Sequence, residues 1–159
     1  MDEKGKLRLL ASLAQELNAN GVTWALGASC FLYLKGIAPT FHDLDILIDE
    51  KDVKTVERLF LARGEKEPEH YDRSRYGTKV FDEYVIEGVD LDVMAGFSIY
   101  KDGQEYHFPL QANNIVDHLF VEGEDIPVES LEAWRERYAL MGRKEKVEMI
   151  DNVLNKRPS

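Results

Sequence analysis

The sequence predicts a mixed α/β (α+β) domain, a mixed sheet flanked by helices with further helices at the C-terminal end. Three observations predict it. Short apolar runs of strand length recur at 22–26, 43–48, 80–86 and 89–94; apolar residues between several of them fall at helical spacing; and an early strand–turn–helix–strand unit is balanced by helical patterns at the end. The 159 residues suffice for one domain with a core of its own. No repeat, low-complexity tract or Pro/Gly/Ser-rich linker divides them, so 1–159 reads as one domain, with its core over about 1–110 and a helical part over about 111–156.

Each element has a local reason. Leu10, Leu13, Ala14 and Leu17 lie on one face of a helix over roughly 5–19, which Asn20-Gly21 ends because glycine takes the left-handed conformation there at little cost. Val22 to Leu26 is a short buried strand. Gly27-Ala28-Ser29 turns it into a second helix carrying Phe31, Leu32 and Leu34, closed by Gly36. A loop with Pro39 leads to the strand Asp43 to Ile48. Asp49 is placed to cap a helix whose stripe is Val53, Val56, Leu59 and Phe60, and Gly64 ends it. Residues 65–77 are strongly polar and read as an exposed loop or linker. Val80 to Ile86, the turn Glu87-Gly88 and Val89 to Met94 form an antiparallel hairpin, and Asp102-Gly103 makes another turn before Tyr106 to Phe108. A short strand at Ile126 to Val128 precedes Glu129-Ser130, a cap for a helix with Leu131, Trp134, Tyr138 and Met141. Gly142 breaks that helix, and the last one runs through Val147, Ile150 and Leu154.

Composition narrows the function. With 44% hydrophobic and 31% charged residues the chain is an ordinary globular one rather than a disordered one. Twenty Lys+Arg against 30 Asp+Glu leave a net charge of -10, which repels phosphate backbones and anionic lipid, so nucleic acid and membrane are not expected as partners. Cys30 is the single cysteine, so neither an internal disulfide nor a zinc framework is expected. The N-terminus is charged (Asp2, Glu3, Lys4, Lys6) with no long apolar run behind it, and no stretch reaches the ~18 apolar residues of a membrane span; a cytoplasmic protein is expected.

Asp43 and Asp45 are the feature that demands a chemical reason. On a strand, residues i and i+2 face the same way, so both carboxylates project together while Leu44, Ile46 and Ile48 bury the other face. Two like charges on one face repel unless solvent or a cation separates them, and hard oxygen donors favour Mg²⁺ or Mn²⁺ over zinc. Asp90 and Asp92 repeat the pattern. If the two strands are neighbours, three or four carboxylates meet, enough for a pair of ions about 3.5–4 Å apart. Upstream, the strand ending at Leu26 opens through small residues into a helix, a turn whose exposed N–H groups favour phosphate, with the Ser29 hydroxyl as a further donor.

These two features together resemble the nucleotidyltransferase superfamily of the polymerase-beta type: an apolar strand, a Gly-[Gly/Ser] pair, a spacer of about a dozen residues, an hDhDh strand and a later third acid. Gly27 matches the first position of the pair, Ala28 stands at the second with Ser29 next, Asp43 and Asp45 are the paired acids, and Asp92 in Leu91-Asp92-Val93-Met94 is the third, with Asp90 its rival. The tail, Ile126 to Leu131 with Gly142-Arg143-Lys144-Glu145-Lys146, is similar to that of the small bacterial and archaeal members related to abortive-infection and antitoxin transferases. The resemblance runs from about 22 to 154, and the segments 65–77 and around Asp102 add nothing to it. It departs from the family at Ala28, at Phe41 where a Thr is common, and at Arg143 to Lys146 where Arg-x-Lys-Asp is common.

The resemblance implies a nucleotidyltransferase-type mixed sheet and transfer of an NMP group from an NTP such as ATP to an acceptor hydroxyl. Asp43, Asp45 and Asp92 would hold Mg²⁺ or Mn²⁺. Gly27, Ala28, Ser29, Arg143 and Lys146 would contact the nucleotide. The acceptor, a small molecule or a protein, stays open, as does a homodimer or a partner chain. The alternative is a module that keeps the fold to bind a nucleotide or a protein partner without catalysis. A haloacid-dehalogenase-type phosphatase or a glycosyltransferase fits less well, because here the apolar run Ile46 to Ile48 follows the acids rather than preceding them. No GxGxxG follows the first strand, and His42, His70, His107 and His118 show no metal-ligand spacing, although His42 adjoins Asp43.

Overall fold

The computed structural model describes residues 1–156; the last three residues of the expected domain lie outside them. Five α-helices surround a seven-stranded mixed sheet. Asp2 caps α1 (Glu3–Ala19) by accepting from the Gly5 N–H at 2.8 Å, and the helix buries Leu10, Leu13 and Leu17. β1 (Trp24–Gly27) runs into α2 (Ala28–Leu34), and β2 (Leu44–Ile48) returns antiparallel to β1. Asp49 caps a 3-10 turn, Glu50–Asp52, rather than a helix directly, and α3 (Val53–Leu61) follows that turn. β3 (Glu65–Lys66), β4 (Val80–Ile86) and β5 (Val89–Ala95) form an antiparallel set, and β5 lies parallel to β2. β6 (Phe97–Lys101) and β7 (Gln104–Phe108) are a separate hairpin.

The stretch after 110 differs from the expected helical part. It holds a second strand pair, β8 (Asp117–Val121) and β9 (Glu124–Val128), joined at Glu122-Gly123, where both residues have positive φ. β9 docks parallel to β1 through Leu26 and Val128, so the sheet order is β3-β4-β5-β2-β1-β9-β8. Only Val121 of β8 is buried, so this edge strand lacks the apolar alternation that marks a strand in sequence. Helical structure then fills the rest: α4 (Leu131–Leu140), capped by Ser130, packs on β6 and on α5 (Lys144–Leu154).

Segment 65–77 is largely exposed, as expected, but it is not a free linker. Its backbone bonds to the β6 edge, with the Tyr100 N–H donating to the Arg75 carbonyl at 2.8 Å and the Gly77 N–H to the Ser98 carbonyl at 3.1 Å. Tyr71 stacks on Phe81 with ring centroids 4.6 Å apart and on Tyr76 at 5.7 Å. The charged residues face solvent while three aromatic rings hold the segment against the domain. Among the described residues no helix is long and apolar enough to cross a membrane.

Candidate active site

The first turn of the site is built by β1 and α2. A methyl group placed on Gly27 would lie 2.2 Å from Cζ2 of Trp134 and 2.8 Å from Cδ1 of Leu47, so the space beside Gly27 is filled by α4. Ala28 has φ +52°, in the left-handed region where a side chain is strained and glycine is not. The N-cap of α2 is Gly27, without a side-chain capping bond, which leaves the Ser29 hydroxyl free of that duty. Gly27→Ala is therefore expected to lower stability by about 1–3 kcal/mol, the usual cost of overpacking a rigid core; urea unfolding measures it, and an unchanged midpoint would show that the Trp134 ring yields.

Register places the acids. Gly27 pairs with Asp45 across β1–β2, Asp45 with Asp92 across β2–β5, and Asp92 with Glu83 across β5–β4. One row across four strands thus carries a glycine and three acids. Asp43 immediately precedes β2 on the same face as Asp45, beside Asp90, while Leu44, Ile46 and Ile48 are buried behind. Asp92 is half-buried and Asp90 exposed. Asp43, Asp45, Asp92, Ala28, Ser29, Arg143 and Lys146 all line one cavity of about 650 Å³. Its other walls come from Tyr71, Tyr76 and Phe81 on one side and Trp134, Tyr138 and Met141 on another. An adjoining cavity of about 480 Å³ shares Asp43, His70, Glu83 and Asp92 with the first and adds Glu67, Glu69 and Asp90.

Electrostatic tension is concentrated here. Burial, then the charges of Asp92 and Asp43, push the Asp45 carboxyl well above the ordinary range. Burial, then Asp43 and Glu83, push Asp92 up to about 7. Hydrogen bonding between the two adds to the rise at Asp45 and opposes it at Asp92. Asp43 is raised by burial and by Asp90, and partly relieved by His42 and Lys6. Among the described residues no three carboxylate, imidazole or thiol groups are gathered into a ready-made ion cage. Burial and mutual repulsion raise both the Asp45 and Asp92 carboxyls, a tension that a divalent ion would relieve. The donor set fits Mg²⁺ or Mn²⁺: hard carboxylate oxygens on two hydrogen-bonded strands, with no thiol or imidazole in the row.

A pH dependence follows. Between the ordinary carboxylate range and about 7, the folded chain holds protons at this pair that the unfolded chain has released, so the pair's contribution to stability falls as pH rises through that window. Asp92→Asn removes part of this loss. In metal-free buffer the variant is expected to be more stable than wild type by a margin that grows from pH 5 to pH 8, reaching on the order of 1–2 kcal/mol. A margin independent of pH would contradict it.

Several site groups are not visible in sequence. Glu83 enters through cross-strand register, and His70 through the cavities that it lines with Glu83, its Nε2 3.0 Å from Glu83 Oε1. Tyr71 and Tyr76 sit in a stretch whose polarity hides their packing. Arg143 and Lys146 reach the cavity from the start of α5, and Arg143 also pairs with Glu145 at 2.8 Å.

No family model matches the chain, and no curated protein matches it in sequence. Solved structures do. A protein of Thermotoga maritima assigned as a nucleotidyltransferase is 29% identical, with a TM-score of 0.73 over 99% of this chain and 97% of that one. The antibiotic-resistance factor ANT(2'')-Ia, solved in complex with adenylyl-2''-tobramycin, is 13% identical, with a TM-score of 0.67 over 94% of this chain and 90% of that one. The lincosamide antibiotic adenylyltransferase LnuA, solved with lincomycin, is 17% identical, with a TM-score of 0.60 over 95% and 97% respectively. The chain is a nucleotidyltransferase-fold protein.

Proposed function

We propose that this chain is a nucleotidyltransferase that moves the NMP group of an NTP, ATP among them, to an acceptor hydroxyl. The observation that carries the reading is the in-register pair Asp45 and Asp92, with Asp43 beside it, in the same cavity as the α2 turn and the two cations of α5. The likeness to adenylyltransferases along nearly the whole chain supports it. Mg²⁺ or Mn²⁺ held by Asp43, Asp45 and Asp92 would neutralise phosphate charge and make the acceptor hydroxyl more acidic.

The chain's own groups do the rest. Ser29 donates its hydroxyl to a phosphate oxygen, and Arg143 and Lys146 meet the charge of the triphosphate. The acceptor hydroxyl gives its proton to the Asp92 carboxylate, from which it passes to solvent, and the oxygen attacks the α-phosphorus. A P–O bond to the acceptor forms as the bond to the leaving pyrophosphate breaks. No covalent enzyme intermediate is needed, because positioning and charge neutralisation lower the barrier. Glu67, Glu83 and Asp90 extend negative charge beyond Asp92, with Glu69 paired to Arg73 and Glu83 beside His70, which favours a small acceptor bearing positive charge over a nucleic acid.

Thermal unfolding with Mg²⁺ and ATP tests the site. A nucleotide at about 100 times its Kd adds about 2.7 kcal/mol, so the melting temperature rises, and the double variant Asp43→Asn with Asp45→Asn is expected to lose the rise. A rise that persists in the double variant removes these acids from the site. Pyrophosphate release from NTPs mixed with amine-bearing small molecules tests the reaction, and binding without release from any NTP supports a non-catalytic module instead.

A further inference from the structure

We infer that the nucleobase of the donor enters an aromatic slot on one flank of the acid row, against Tyr71, Tyr76 and Phe81. The acceptor then approaches from the opposite flank. The inference rests on the functional reading above and extends it to residues that the sequence presents only as polar loop and strand.

Strand register divides the cavity face into three rows. The middle one is Glu83, Asp92, Asp45 and Gly27. Two residues to one side, on the same face, Phe81 pairs with Met94 and Met94 with Leu47. Two residues to the other side, Asp90 pairs with Val85 and lies beside Asp43. One flank of the acid row is apolar and the other is acidic.

Aromatic rings gather on the apolar flank. Tyr71 stacks on Phe81 with centroids 4.6 Å apart and on Tyr76 at 5.7 Å. All three rings are only half-buried and line the main cavity, so a ligand can reach them. Tyr138 and Met141 form the other wall. Arg75 ties the two walls together, its guanidinium donating to the Met141 carbonyl at 3.2 Å.

Three groups must find room around the α-phosphorus during transfer: the leaving pyrophosphate, the attacking oxygen and the nucleoside. The pyrophosphate has Ser29, Arg143 and Lys146, and a cationic acceptor has the acidic flank with Asp90 and Glu67. The nucleoside is left with the apolar flank. Phe81 lies one strand and two residues from Asp92, about 8 Å by strand spacing and rise, a reach that a ribose spans. A base gains stacking there, whereas a cation would leave carboxylates behind to enter an apolar wall.

Calorimetry on the full chain tests the slot with two probes, Mg²⁺-ATP and Mg²⁺ with inorganic tripolyphosphate. Phe81→Leu is expected to bind Mg²⁺-ATP about tenfold more weakly than wild type, and tripolyphosphate equally well. An unchanged ATP affinity overturns the slot. An equal loss for both probes means that the ring only shapes the cavity, and overturns it too. NMR of the wild type with bound Mg²⁺-ATP decides if the variant does not fold. Nuclear Overhauser contacts are expected between adenine ring protons and those of Tyr71, Tyr76 or Phe81, and their absence overturns the slot. The two readings separate in the same experiments: a wild type that binds neither probe ends the functional reading and the slot with it, whereas bound Mg²⁺-ATP without those contacts ends the slot alone.

Discussion

Asp45→Asn is expected to lower pyrophosphate release by roughly 10³-fold, the order lost when a charge-stabilising group leaves a preorganised site, while the folded structure is kept. Asn fills the same space and can still donate to Asp92, so it imitates a neutral Asp45, the form that burial and the neighbouring carboxylates favour. What it lacks is the second negative charge. The paired carboxylates repel each other when both ionise, and under the proposed function that repulsion would be the electrostatic source of affinity for a divalent ion. Activity and metal-free stability should therefore part company. Turnover collapses, yet the melting temperature without metal stays level or rises, as in sites where function is kept at the expense of stability. Steady-state pyrophosphate assays and thermal unfolding of the same preparation measure both. A variant that retains more than a tenth of wild-type turnover would exclude Asp45 from the chemistry.

Arg137→Ala carries the largest expected loss of stability, about 3–5 kcal/mol. Arg137 and Glu129 are 3% and 4% exposed and form a bidentate pair, with Phe97, Phe108 and Trp134 around the guanidinium. Removing the cation leaves the Glu129 carboxylate buried and unpaired beside aromatic rings. The combined change Glu129→Leu with Arg137→Met removes both charges and keeps apolar volume, so it is expected to cost far less than the single variant, within about 2 kcal/mol of wild type. Urea unfolding of the three proteins decides the matter. A combined variant no more stable than Arg137→Ala would mean that the stranded Glu129 charge is not the source of the loss. Glu129 follows the strand end where Val128 pairs with Leu26, so the pair fastens α4, and with it Trp134, to the part of the sheet that carries the α2 turn.

Much of the site is legible in sequence because its signals are local. Asp43 with Asp45 and Asp90 with Asp92 reveal a shared face through the two-residue period of a strand, and the small residues Gly27-Ala28-Ser29 reveal a tight entry into α2. The helices announce themselves by spacing and caps, as Ser130 does for α4 with its 3.0 Å bond from the Ala133 N–H. The β8 strand is hidden because an edge strand with one buried residue has no apolar pattern to read. Tyr71 and Tyr76 are hidden because their packing partners, Phe81 and the β6 edge, lie outside the polar stretch that contains them.

The amino-acid order by itself determined that acids occur in pairs on strand faces, that a small-residue turn precedes them, and that helices enclose a mixed sheet, since each follows from periodicity within a few residues. Tertiary structure alone decided that β2 and β5 are parallel neighbours in the register that sets Asp45 against Asp92, that Glu83 completes the row, and that Trp134 fills the space beside Gly27. Those facts depend on pairing between segments tens of residues apart, and a strand's own sequence specifies which face it buries but not which partner it meets or how far it slides.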